Sequence, residues 1–173
     1  AARISSAREA RHTEAIAKAF VGIEAKLKSR QMSVDSSWDD RFGELYKAHA
    51  ELDPDLPVVI VKQPNFGLAG HVIFMSQVPG QFVNEAIAAF AKQIAANKDY
   101  VWSNDIVFVL GESDRPEHRA LLKTQVENFG VRAALLQVLA SKPNAADRDL
   151  FLEGLEASQI EALTASVTAL EGL

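Results

Sequence analysis

Three short apolar runs constrain most strongly what this chain can fold into. Val58-Val59-Ile60-Val61, His71-Val72-Ile73-Phe74-Met75 and Ile106-Val107-Phe108-Val109-Leu110 interrupt a sequence that otherwise reads as helix. Apolar runs this short, rich in β-branched residues and bounded by turn formers, have the signature of strands buried on both faces. The expected fold is therefore α+β and mostly helical. A small three-stranded, partly parallel sheet would be flanked by an N-terminal helical hairpin and a C-terminal four-helix region. Residues 71–110 would supply strand, helix and strand, enough chain for a right-handed parallel crossover.

The helical stretches carry their own start and stop signals. Ser6-Ala7-Arg8-Glu9 has the form of a capping box, in which each side chain satisfies a free amide at a helix start. Ile16, Phe20, Ile23 and Leu27 then recur at helical spacing, predicting a helix that ends near Arg30, with Gln31 to Asp35 as a connection. A second helix begins at Ser36 or Ser37 and lines one face with Trp38, Phe42, Leu45, His49 and Leu52. Two such helices joined by a short link predict an antiparallel hairpin. Asp53-Pro54-Asp55-Leu56-Pro57 closes it, because the residue before a proline disfavours helix. Phe82, Val83, Ala86, Ile87, Phe90 and Ile94 mark a further apolar helix between the second and third runs.

Beyond Asp114-Arg115-Pro116-Glu117 the pattern is helical over 116–129, 131–141, 145–155 and 158–171. Leu135, Leu139, Phe151, Leu155, Ile160, Leu163, Val167 and Leu170 are among the residues expected to form the buried faces. The division expected is a hairpin plus α/β core over 1–115, with a helical tail at 116–173 packed on it. One single domain over 1–173 is the alternative. Val131-Arg132-Ala133-Ala134-Leu135-Leu136 and Ala146-Asp147-Arg148-Asp149-Leu150-Phe151-Leu152 give the tail its character. This C-terminal third resembles a HEAT-type helical repeat region. The resemblance implies a scaffold or binding surface rather than a catalyst. Only two helix pairs are legible, fewer than the roughly three repeats that a free-standing stack needs, and the upstream runs depart from that family's all-helical pattern.

Charge is unevenly spread. The chain holds 18 Lys and Arg against 23 Asp and Glu, a net −5, yet residues 3–30 carry seven cations against Glu9, Glu14 and Glu24. Residues 143–173 reverse the balance, with Arg148 facing six carboxylates. Such polarity suits an oppositely charged surface or head-to-tail contact between copies. Basic residues near the start are interleaved with glutamates and lack stacking aromatics, which disfavours nucleic acid as a partner. No apolar run approaches the roughly 20 residues that span a bilayer. With no cysteine, disulfides, thiolate metal sites and thiol nucleophiles are excluded together. The compartment stays open. The start at Ala1-Ala2-Arg3 has the form of an end left by signal cleavage or of the edge of a longer precursor; cytoplasmic and exported locations both fit.

Two loops offer candidate chemistry. In 63–70, Asn65, Gly67, Gly70 and neighbouring His71 resemble an anion cradle, since glycines let backbone amides approach a phosphate. The loop lacks both the GxxxxGK[ST] and GxGxxG patterns. In 111–115, Glu112 and Asp114 follow an apolar run and precede a helix, where a general base or metal ligand is often placed. Glu9 and His12 have one Glu-x-x-His spacing, but carboxylate-bridged metal sites need a second copy. No metal site and no cofactor are expected. The favoured reading is a non-catalytic protein–protein interaction or assembly subunit that acts through amphipathic helices. Arg8, Arg11 and Lys18 would mark one end, and Glu153, Glu156 and Glu161 the other. The competing reading is an enzyme that binds a small ligand or anion with the loops 63–70 and 111–115.

Overall fold

A computed structural model describes residues 2–23 and 36–173. In chain order it contains α1 (Ala2–Val21), α2 (Ser36–Leu52), α3 (Leu56–Val61), a 3-10 helix (Ala69–Gln77) and α4 (Gly80–Ala96). There follow α5 (Asn104–Gly111), α6 (Pro116–Lys123), α7 (Phe129–Ser141), a 3-10 turn (Ala145–Asp147), α8 (Arg148–Gly154) and α9 (Ile160–Glu171). No strand occurs among the described residues, so the fold is all-helical and the three-stranded sheet is corrected. The helix end near Arg30, the stripe residue Leu27, the link at 31–35 and the packing of Trp38 lie outside the described residues. The chain divides into two compact units, Ala1–Lys98 and Asp99–Leu173.

Each apolar run carries local features that suit a helix. Pro57 stands in the first turn of α3, where its fixed φ suits a helix and its missing N–H costs nothing. The buried set Leu56, Pro57, Ile60 and Val61 is a helical pattern, with Val58 and Val59 turned partly outward. In the second run His71 and Phe74 are the buried residues, three apart, which is one turn of a 3-10 helix. In the third, Ser103 caps α5 by accepting the Ile106 amide, Asp105 adds negative charge to the first turn, and Phe108 alone faces outward. Tertiary burial thus overrides the β preference of these side chains. The helix predicted to start at Ser6 instead begins at Ala2.

The core of unit 1–98 is aromatic. Phe20 of α1, Phe42 and Tyr46 of α2, and Phe74 meet edge-on or tilted, with Tyr46 and Phe74 centroids 4.9 Å apart. The Tyr46 hydroxyl donates to the Phe74 carbonyl at 3.3 Å, and burial pushes its phenol pKa upward. α1 packs mainly along α3, so its partner is not α2 alone as a simple hairpin would have it.

In unit 99–173, α7 is central, contacting α5, α6 and α9, while α8 packs on α9. Two glycines set the helix spacing. A Cβ at Gly111 would strike the Val138 side chain, and one at Gly154 would strike Ser166. The inner face of α9 consists of Ala162, Ala165, Ser166 and Ala169. Small residues there let α9 approach α7 and α8 closely.

Candidate functional site

Loop 63–70 is tied down from three sides. Gly67 has φ +102°, and a Cβ there would lie 2.6 Å from the Ala89 carbonyl oxygen, so the loop rests directly on the α4 backbone. His71, 2% exposed, accepts the Gly67 and Leu68 amides on Nδ1 at 3.1 and 3.3 Å. Two donors on Nδ1 assign the proton to Nε2, which donates to the Val21 carbonyl at 3.2 Å. Gln93 donates to the Phe66 carbonyl, and buried Gln63 donates to the Glu14 carboxylate, which this bond and Lys18 hold below the usual glutamate range. The two amides best placed for an anion are thus engaged by His71. Asn65 and Gly70 are exposed.

Loop 111–115 belongs to the other unit. Glu112 is exposed, just past the end of α5. Asp114 accepts from Lys142 at 2.5 Å at the edge of a cleft of about 270 Å³ lined also by Ser113, Arg115 and Arg119. Ser113 Oγ accepts the Arg115 amide and lies 2.8 Å from His118 Nδ1. Burial lowers the His118 pKa, the nearby Glu117 charge raises it and that of Arg115 lowers it, with a net fall that favours neutral imidazole. Nearby Asp147, 2% exposed, accepts from Arg119 Nε at 2.8 Å, from a second Arg119 nitrogen, and from Lys123 at 2.6 Å. Burial pushes its carboxyl up, but the bonds and charges of Lys123 and Arg119 outweigh this and hold it below the ordinary aspartate range. Sequence spacing could not show this bracing, because 28 positions separate Arg119 from Asp147.

The residues marked for interaction are all on helical surfaces. Arg8 and Arg11 are exposed on α1, where every residue from Ser6 to His12 is exposed, and Lys18 pairs with Glu14 at 3.3 Å. Arg8 and Arg11, with Glu9 between them, line an open groove of about 1020 Å³ between α1 and the segment His49–Leu56. Glu153, Glu156 and Glu161 are exposed on and around α8 and α9.

Sequence periodicity misassigned one face. Ile160, Leu163 and Val167, expected to be buried, are 72, 38 and 39% exposed, while the alanines opposite them fill the interior. Spacings of three and four residues place these three side chains on one stripe of α9, with half-buried Leu170 continuing it. Ser166 lies one turn from Leu163 and Leu170, so the Gly154 contact brings α8 to the stripe's edge. Leu152 of α8 and Leu155, just past its end, are also exposed. Glu153, Glu156, Glu161 and Glu171 are exposed on the same two helices and the link between them.

Among the described residues no group of three or more His, Asp or Glu is placed to hold a metal ion, and no helix is long and apolar enough to cross a membrane. No protein-family model, curated protein or solved structure matches the chain.

Proposed function

We propose that the protein is a non-catalytic interaction or assembly subunit, and that α8 and α9 carry its docking surface. The observation behind this reading is the outward stripe Ile160, Leu163 and Val167, with exposed Leu152, Leu155 and glutamates on the same pair of helices and their link. Large apolar side chains left outside while alanines line the interior are costly in water unless another surface covers them. A partner helix with an apolar face flanked by Lys or Arg fits this chemistry. Apolar burial would supply the affinity, and charge the orientation and partner choice. Such use of stacked helices agrees with the likeness of 116–173 to HEAT-type repeats. The ligand-binding reading has less support, since the best-placed amides of loop 63–70 are engaged by His71.

A designed amphipathic helix with leucine heptads flanked by lysine tests the reading. It should bind the protein, while the same helix flanked by glutamate binds about tenfold more weakly at low salt. The double substitution Leu163→Asp, Val167→Asp should abolish binding in fluorescence anisotropy while circular dichroism keeps its helical signal. Equal binding by this variant would defeat the proposal.

A further inference from the structure

The cleft of about 270 Å³ in unit 99–173 opens where the ends of α5 and α7 meet the start of α6. Three cations line it, Arg115, Arg119 and Lys142, against one carboxylate, Asp114. Leu110, Leu122, Val138 and Leu139 supply an apolar wall. The neutral polar groups at the rim are bonded within the protein: Ser113 Oγ to the Arg115 amide and His118, Asn144 Oδ1 to the Ala146 amide. The cations are therefore the groups best placed to meet a ligand. Their charge is not balanced inside the fold. Arg119 and Lys123 share the single carboxylate of Asp147, which leaves that trio with a net positive charge, and the Arg119 side chain is only 24% exposed. Arg119 bonds Asp147 and the Leu139 carbonyl through Nε and Nη2, while its Nη1 bonds no described residue. Arg115 and Lys142 are held loosely, since their partners Glu117 and Asp114 are 62% and 86% exposed and water screens both pairs.

We propose that this cleft binds a small organic carboxylate, with its charge among Arg115, Arg119 and Lys142 and its hydrocarbon body against the apolar wall. Concave apolar space with a few convergent polar groups is the usual form of a small-molecule site. The volume lies just below the roughly 300–1,000 Å³ of common ligand pockets, which limits the occupant to a short chain or a single ring. Guanidinium groups match the paired oxygens of a carboxylate. The apolar wall favours this class over inorganic phosphate, which has no apolar surface to bury there. Lys142 contributes by exchanging exposed Asp114 for the ligand. The site uses no residue of the α8–α9 docking surface, so each stands without the other.

Benzoate titrated into the full chain and followed by nitrogen-15 NMR tests this. Binding should saturate with a dissociation constant of about 1 mM or tighter. The shifted amides should cluster at 111–115 and 142–144. Benzamide, which has the same ring without the charge, should bind at least about tenfold more weakly, and so should inorganic phosphate. High salt should weaken benzoate binding, because the cations at the rim are partly exposed. The double substitution Arg115→Gln, Lys142→Gln should keep the helical circular dichroism signal and lose about tenfold or more in benzoate affinity. The comparison with benzamide needs no variant, so it decides the matter even if that protein fails to fold. The absence of any shift at about 20 mM benzoate, well above the expected constant, would overturn the proposal. Equal binding of benzamide, tighter binding of phosphate, or unchanged benzoate affinity in the folded double variant would each overturn it as well.

Discussion

His71 Nδ1 lies 3.1 Å from the Gly67 amide nitrogen, and this bond closes a turn whose other side rests on α4. The same imidazole reaches the Val21 carbonyl at the end of α1, so one buried side chain joins α1 to the loop. Gly67 and His71, which suggest ligand chemistry in the sequence, thus have a structural role in this turn.

Gly67→Ala should destabilise the protein by about 2–4 kcal/mol, from the strained positive φ and the collision with the Ala89 carbonyl. Gly80→Ala, at the first position of α4 with nothing within 4 Å of its Cβ, should be neutral or stabilise by up to about 1 kcal/mol. Urea denaturation of the pair checks the contrast; equal effects would show that the loop does not rest on α4 as described.

Asp147 predicts an acid limb in stability. Its folded pKa lies below the unfolded value, so its contribution is present above the ordinary aspartate range and is lost as pH falls through the folded value. Asp147→Asn should cost about 1–3 kcal/mol at neutral pH by removing the charge that Arg119 and Lys123 bond. It should also flatten the stability profile below about pH 4. Denaturant midpoints from pH 7 to pH 3 measure both effects.

His118 acts in a higher window. Burial favours the neutral ring in the folded state, so stability should be full above the unfolded pKa of about 6.5 and decline as pH falls toward the folded value. His118→Gln should remove that part of the slope below about pH 6.5. Proton NMR titration of the ring would locate the folded value directly, and a value above the unfolded one would reverse the sign.

The orientation of α9 is open to test by substitution. Ala162→Leu, on the buried face, should cost about 1–3 kcal/mol through overpacking. Ile160→Ser, on the outward stripe, should change stability by no more than about 0.5 kcal/mol. A reversed order would mean that the large side chains face inward.

Helix boundaries with strong punctuation were legible in the sequence. The start of α2 at Ser36 and the course of α4 and α7 follow from capping residues, proline and helical spacing. The apolar runs misled because a four- or five-residue window carries no period. With flanking Leu56, Pro57 and Ser103 included, the same residues form helical buried sets. The candidate surface was missed because α9 has two apolar faces with the same spacing. Periodicity cannot say whether Ile160, Leu163 and Val167 or Ala162, Ala165 and Ala169 turn inward.

By itself the sequence determined that the chain would be predominantly helical, that it lacks thiol chemistry, and that its ends carry opposite charge. These follow from residue type, local spacing and composition, which need no tertiary context. Only the tertiary structure decided that the apolar runs coil rather than extend, that His71 serves a turn, and that α9 shows its larger side chains to solvent. Those choices depend on how closely neighbouring backbones approach, at Gly67, Gly111 and Gly154, and such distances are set between segments rather than along them.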